Sequence, residues 1–223
     1  MFKNVASVTL AICVITGGIL LPKNAQPNSG SAIITNMHNK VQAKTSKRPV
    51  WQMASVQESL NNGDSLRTGS GSRAEIQYSD GTITRIGSNS IVRISRSDSS
   101  SEQRTGLRLL IGKLWLKVTK GKGLLKIETP TAVASVLGTE LLVSNNDKNV
   151  SHVTTLDGLV EVSSNSGDKT LLHPGEWVEI EPGKPIEKPT QFDWDALRKN
   201  ERFMLDPTFI PPANDFSENE SWK

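Results

Sequence analysis

Residues 113–118 read Lys113-Leu114-Trp115-Leu116-Lys117-Val118. Successive side chains of a strand point to opposite faces. Leu114, Leu116 and Val118 therefore share one side, and Lys113, Trp115 and Lys117 share the other. The same period of two recurs on both sides of this stretch. Upstream it runs through Ala74-Glu75-Ile76-Gln77-Tyr78 and Ile91-Val92-Arg93-Ile94. Downstream it runs through Leu125-Lys126-Ile127, Glu140-Leu141-Leu142-Val143, Leu159-Val160-Glu161-Val162 and Trp177-Val178-Glu179-Ile180. Turn signals separate the runs: Asn62-Gly63-Asp64, Asp80-Gly81, Asp157-Gly158 and Pro174-Gly175. Asp-Gly tolerates positive φ and marks tight hairpins. Short runs spaced about every 8–12 residues predict an all-β fold. The expectation is many short antiparallel strands in a sandwich or a short solenoid-like arrangement.

Residues 95–106 (SRSDSSSEQRTG) are polar and serine-rich and read as a loop. Beyond Pro189 the pattern changes. Asp193 or Asp195 is placed to cap a short helix reaching Phe203, with Trp194, Leu197 and Phe203 partly on one face. Trp194 is expected to dock that helix. Pro207, Pro211 and Pro212 stop it, and 207–223 reads as a disordered tail.

At the other end, Met1–Asn4 carries one lysine and Val5–Leu21 is apolar and uncharged. Pro22 and Lys23 end the run before the small residue Ala25. This is the layout of a secretory signal peptide, or of a retained inner-membrane anchor if it is not cut. Ile12 before Cys13 does not fit a lipoprotein site. The expected organisation is a leader at 1–25, a linker and first strands at 26–49, a β domain at 50–187, and a short helix and tail at 188–223. The expected location is periplasmic or secreted, with membrane contact only if the leader is retained. Cys13 is the sole cysteine, so core packing rather than disulfides must hold the domain.

The chain of 223 residues has a formal charge of +3, which falls to +1 without Lys3 and Lys23 of the leader. That balance argues against nucleic acid as a partner. The most uneven stretch is Gln103–Ile127, with Arg104, Arg108, Lys113, Lys117, Lys120, Lys122 and Lys126 and no acid. A basic strand face with an exposed Trp115 fits an anionic polymer or glycan. The tentative ligand-binding set is Arg108, Lys113, Trp115, Lys117 and Lys126. The competing reading is a face of lysines that merely solvates a sheet, with the acids of 147–181 lying across from it.

Motifs for chemistry are weak. Gly63-Asp64-Ser65-Leu66 spells the block of the GDSL esterases, but Arg67-Thr68-Gly69 is no helix start. No aspartate stands three residues before His38, His152 or His173, so Ser65 has no recognisable base. The same three histidines have no metal-ligand spacing. No catalytic residue, metal or cofactor is expected.

Several segments, in order, resemble the FecR-domain family, the periplasmic domain of bacterial iron-citrate-type sensors. Leu60 to Gly69 with Ser72-Arg73-Ala74-Glu75 and Asp80-Gly81-Thr82 is similar to its opening element. Thr129-Pro130-Thr131 through Val136-Leu137-Gly138-Thr139-Glu140-Leu141 resembles its centre, with Leu141 where phenylalanine is common. Asp157-Gly158-Leu159-Val160 and Leu172-His173-Pro174-Gly175-Glu176 resemble its close. The signature residues are Gly63, Asp64, Asp80, Gly81, Thr129, Pro130, Gly138, Thr139, Asp157, Gly158, Pro174 and Gly175. They form a fold signature with no acid–base pair or metal set.

The family's full-length sensors add a cytoplasmic anti-sigma region and a receptor-docking lobe. Met1–Asn4 and 188–223 are too short for these. The resemblance therefore implies a stand-alone, exported, non-enzymatic binding or scaffolding module of the cell envelope. Its expected partner is an envelope protein or a cell-wall glycan. The alternative is a component of cell-surface signalling that regulates a sigma factor through separate partners.

Overall fold

The structure is a computed structural model that describes residues 32–97, 104–206 and 208. The leader, the linker, residues 98–103 of the serine-rich loop and the tail from 209 onward lie outside the described residues. Among the described residues seventeen strands, β1 to β17 in chain order, form one continuous sheet folded into two layers. In spatial order the first layer is β4 (Ser59–Leu60), β1 (Ala32–His38), β6 (Arg73–Tyr78), β7 (Ile83–Ile86), β9 (Arg104–Lys117), β12 (Glu140–Asn145), β13 (Ser151–Asp157), β16 (Glu176–Ile180) and β17 (Thr190–Gln191). The second layer is β3 (Gln52–Met53), β2 (Val41–Lys44), β5 (Ser65–Thr68), β8 (Ile91–Ser97), β9 again, β10 (Leu125–Glu128), β11 (Ala132–Val136), β14 (Val160–Ser164) and β15 (Lys169–Leu172). The all-β expectation holds.

The shared strand makes this arrangement possible. The N-terminal half of β9 pairs with β8 and β10, and its C-terminal half pairs with β7 and β12. Between the halves the register against β8 shifts, and Gly112 adopts φ +102. The bend also swaps which residues face inward. Leu107 and Leu109 are fully buried before it, and Leu114 and Leu116 after it. An odd-numbered inner face becomes an even-numbered one, as a bulge requires. Because β9 crosses between layers, the loop after it brings the chain back beside the start of β9. The β9–β10 pairing is therefore parallel, with Lys126 opposite Gly106. It is the one exception to the antiparallel expectation among the pairings described.

Ile34, Leu66, Ile76, Leu107, Leu109, Leu114, Leu116, Ile127 and Leu141 from both layers meet in one core and are essentially inaccessible. Each such side chain contributes about 1.5–3 kcal/mol of hydrophobic stabilisation. Asp80-Gly81 is a hairpin turn, where the Tyr78 N–H donates to the Thr82 carbonyl at 2.9 Å. Asp157-Gly158 and Pro174-Gly175 are not hairpins. Each joins a strand of one layer to a strand of the other, β13 to β14 and β15 to β16. Positive φ there serves a corner between layers, because the flanking strands find their partners elsewhere in the chain. Gly138 is another such corner, between β11 and β12. At φ +70 its absent Cβ leaves room for the Lys120 backbone, whose Cα would stand 2.7 Å from it.

Helix α1 (Trp194–Asn200) is capped by Asp193, whose carboxylate accepts from the Asp195 and Ala196 N–H groups. Helix α2 (Arg202–Leu205) follows after a break at Glu201. The two form a strap over the outer side of the first layer. Leu197 and Met204 dock it, at 5% and 2% exposure, against Trp115 and Leu142. Trp194 does not carry out the docking expected of it. It stays 39% exposed and meets Phe192 edge-on at 4.6 Å.

Candidate functional site

The bend in β9 divides the expected basic strip between two opposite surfaces. Lys113, Trp115 and Lys117 lie on the outer side of the first layer, beside β7 and β12. Arg108 and Lys126 lie on the outer side of the second layer, beside β8 and β11. The tentative set of five does not share one surface.

Trp115 is not exposed. At 5% accessibility it lies under the strap, where its Nε1 donates to Glu140 at 3.1 Å. The Arg85 guanidinium sits over its ring at 4.1 Å. Arg85 also donates to Glu75 and to the carbonyls of Met204 and Leu205, each at 2.9 Å. Arg73 donates to the Phe203 carbonyl at 2.6 Å and the Asp206 carbonyl at 3.2 Å. These arginines satisfy carbonyls at the end of a short helix that lacks intrahelical partners. Lys113 donates to the buried Glu201 carboxylate at 2.6 Å. The first-layer cations thus hold the strap, and only Lys117 of that group is solvated. The aromatic platform expected for a glycan is used in packing.

His152 belongs to the same surface. It stacks on Trp177 at 5.7 Å and its Nε2 is 3.3 Å from Glu179. Burial pushes its imidazole below the ordinary value; Glu179 works against this, and Lys113 adds to it. An unfolded histidine titrates near about 6.5. With the folded value lower, the unfolded chain binds more protons below that pH, so stability falls as pH drops through it. Urea midpoints measured from pH 7.5 down to 5 should fall less steeply for His152→Gln than for the unsubstituted chain.

The second layer has a different outer side. Arg67, Arg93, Arg108 and Lys126 stand on it, and Arg93 lies directly across from Arg108. Glu128 takes both a 3.0 Å and a 2.7 Å hydrogen bond from Arg108. Arg67 stacks on Trp51 at 4.6 Å. All four exposed leucines among the described residues lie on this side: Leu110 (44%), Leu137 (63%), Leu159 (50%) and Leu171 (48%). Three of them line a shallow groove of about 690 Å³ with Leu124, Lys120, Lys126, Ser135, Gly138, Gly158 and Glu161. No described element covers it. Sequence reasoning missed these leucines, although each sits in an apolar doublet: Leu109-Leu110, Val136-Leu137, Leu159-Val160 and Leu171-Leu172. One member of a doublet must leave the core side of a strand.

Several of the signature residues sit at turns and corners of the sheet. Asp64 is 2% exposed and accepts from the Ser46 N–H at 3.0 Å and the Asn61 N–H at 2.8 Å. It closes the Gly63 turn ahead of β5. Asp80 accepts from the Thr82 N–H at 2.8 Å. Thr129 beside Pro130 accepts from the Ala132 N–H at 2.9 Å, and Thr139 donates to the Leu159 carbonyl at 3.0 Å. Gly175 faces the Gln191 side chain. Ser65 opens β5 opposite Lys44 and Arg93, with no histidine among its cross-strand partners. No group of three His, Cys, Asp or Glu able to hold a metal occurs among the described residues. Asp64→Ala takes the buried carboxylate away from the Ser46 and Asn61 N–H groups, which can turn to water in part, and should cost about 1–2 kcal/mol. Chemical denaturation checks this, and Asp64→Asn should recover part of the loss by keeping one acceptor.

These features define a two-layer, corner-wrapped all-β domain. Residues 64–161, from Asp64 through Glu161 in β14, match the family model described as FecR protein. That stretch is a FecR-family domain, and β1, β2, β15 and β16 complete its two layers at the margins. Two crystal structures, each of a Parabacteroides distasonis protein assigned as an anti-sigma factor, share the fold. One has TM-score 0.51 and 16% identity over 62% of this chain and 63% of that one. The other has TM-score 0.50 and 18% identity over 62% and 64%. The chain thus spans under two thirds of their length. No curated protein matches it.

Proposed function

We propose that this chain is an exported, non-enzymatic FecR-type β domain that binds another protein in cell-surface signalling. The observation that carries the reading is the uncovered outer side of the second layer, where exposed leucines and cations stand together on the FecR-family domain. Exposed apolar residues gathered beside charges mark protein contact surfaces. The fold likeness to a protein assigned as an anti-sigma factor supports signalling over scaffolding. Burial of Trp115 removes the main support for a cell-wall glycan. The apolar leader supports export.

Fractionation of native cells tests export: the protein is expected with the envelope, and a full-length chain confined to the cytosol would overturn it. Signalling is tested by comparing transcripts of the parent, a deletion strain, and a strain carrying Leu137→Ser with Leu159→Ser. The deletion and the double variant should change the same transcripts. An unchanged transcriptome on deletion would refute the signalling role.

A further inference from the structure

The groove on the second layer has a specific composition. Leu124, Leu137, Leu159 and Leu171 supply apolar walls, and Lys120 and Lys126 stand at its margin. Lys122 lies exposed in the same loop as Lys120. Its acid, Glu161, is already engaged by Lys169 at 3.2 Å. Lys120 faces Asp157 only at 3.7 Å, with both side chains largely solvated. The groove therefore suits a segment that alternates apolar side chains with carboxylates.

The chain contains such a segment. Residues 209–223 read FIPPANDFSENESWK. They carry Phe209, Ile210, Phe216 and Trp222 interspersed with Asp215, Glu218 and Glu220. Their chemistry is opposite in charge to the groove and alike in its apolar part. The strap anchors the chain up to Asp206, whose carbonyl accepts from Arg73. From there an extended segment of this length reaches about 50 Å. Asp206 lines a depression with Glu140 and Leu156, each two residues from Gly138 or Gly158 at the groove's edge, so the groove is within range.

We propose that residues 209–223 occupy the Lys120–Leu137–Leu159–Leu171 groove of their own chain and shield it from a partner. The shielding rests on the function proposed above; the occupancy rests only on the complementarity and reach. Tethering raises the effective concentration of the segment to the millimolar range. A dissociation constant below about 0.1 mM for the free segment then gives about 90% occupancy.

The test uses the full chain and a chain ending at Thr208. A fluorescein-labelled synthetic peptide of residues 209–223 is titrated with each, read by fluorescence anisotropy. The truncated chain should bind the peptide at least about tenfold more tightly than the full chain, whose own tail competes. Lys120→Glu with Lys126→Glu in the truncated chain should weaken binding about tenfold, as should raising salt from about 0.05 to 0.5 M. Leu137→Ser with Leu159→Ser should weaken it at either salt concentration. Lys120, Leu137 and Leu159 are exposed and Lys126 is half-buried, and circular dichroism checks that the variants fold. Equal binding by full and truncated chains, or binding indifferent to both double variants, overturns the proposal. Sedimentation that shows a tail-dependent dimer also overturns it, because the occupant would then be a second copy. A normal transcript response to deletion alongside failed peptide binding would dismiss the tail alone. The converse would dismiss the signalling role alone.

Discussion

Gly112→Ala should be the most damaging single methyl that can be added to this protein, with an expected loss of about 3–5 kcal/mol. Two independent costs combine. At φ +102 the backbone lies outside the region that an L side chain adopts without strain, which costs about 1–2 kcal/mol. The new Cβ would also stand 2.5 Å from the Ser90 Cα and closer still to its hydroxyl oxygen. Ser90 is itself fully buried and accepts from the Lys113 N–H at 3.0 Å, so it cannot step aside freely. Overpacking of that kind costs about 1–3 kcal/mol more. Thermal unfolding should shift down by about 10 °C for a domain of this size. Gly121→Ala is the control: its φ is +75, but nothing lies within 4 Å of an added Cβ. It should lose only the backbone part, about 1 kcal/mol. Adding Ser90→Gly to Gly112→Ala should relieve only the clash with the Ser90 side chain, because the Cα at 2.5 Å remains. Equal losses at Gly112 and Gly121 would refute the idea that the layer crossing depends on this close approach.

Arg85→Ala should release the strap. Arg85 is 7% exposed and joins four groups: the Glu75 carboxylate, the Trp115 ring and the carbonyls of Met204 and Leu205. Its loss leaves a half-buried carboxylate and two helix-end carbonyls without their donor. Breaking a buried ion pair from one side costs about 3–5 kcal/mol. Part of that is recovered here, since Glu75 is not fully enclosed, and about 3 kcal/mol is expected. Amide exchange should speed up across 194–206 while the β core keeps its protection. The emission of Trp115 should shift to the red as water reaches its ring. Arg85→Lys should rescue only in part, because an ammonium does not reproduce the planar fork that reaches two carbonyls and a carboxylate. Unchanged exchange across 194–206 would show that Leu197 and Met204 hold the strap without the arginine.

Most strands were legible because alternation is a local property. Leu114, Leu116, Leu125 and Ile127 face the core as the period of two requires. Asp193 as a cap was legible for the same reason, since an N-cap acts on the next two or three residues. The signature glycines also stood out, but their use did not. A positive φ fits a hairpin and a layer crossing equally well, and only the partners of the flanking strands decide which forms. For Asp157-Gly158 those partners are β12 and β16 on one side and β11 and β15 on the other.

The candidate site was less legible, and β9 shows why. Reading Gln103–Ile127 as one strip assumes that alternation keeps its phase. A single bulge near Gly112 reverses the phase, sending Arg108 and Lys113 to opposite surfaces. Exposure of Trp115 was equally undetermined, because it depends on a strap that starts about 80 residues later in the chain.

Strand period, turn residues and caps are set by interactions a few residues apart, so the all-β architecture and the FecR-type motifs within 64–161 could be read locally. The tertiary structure alone decided which cations are spent on internal docking and which leucines remain in water. Those outcomes depend on pairings across the whole chain, where one change of phase in a shared strand moves every later side chain to the other face.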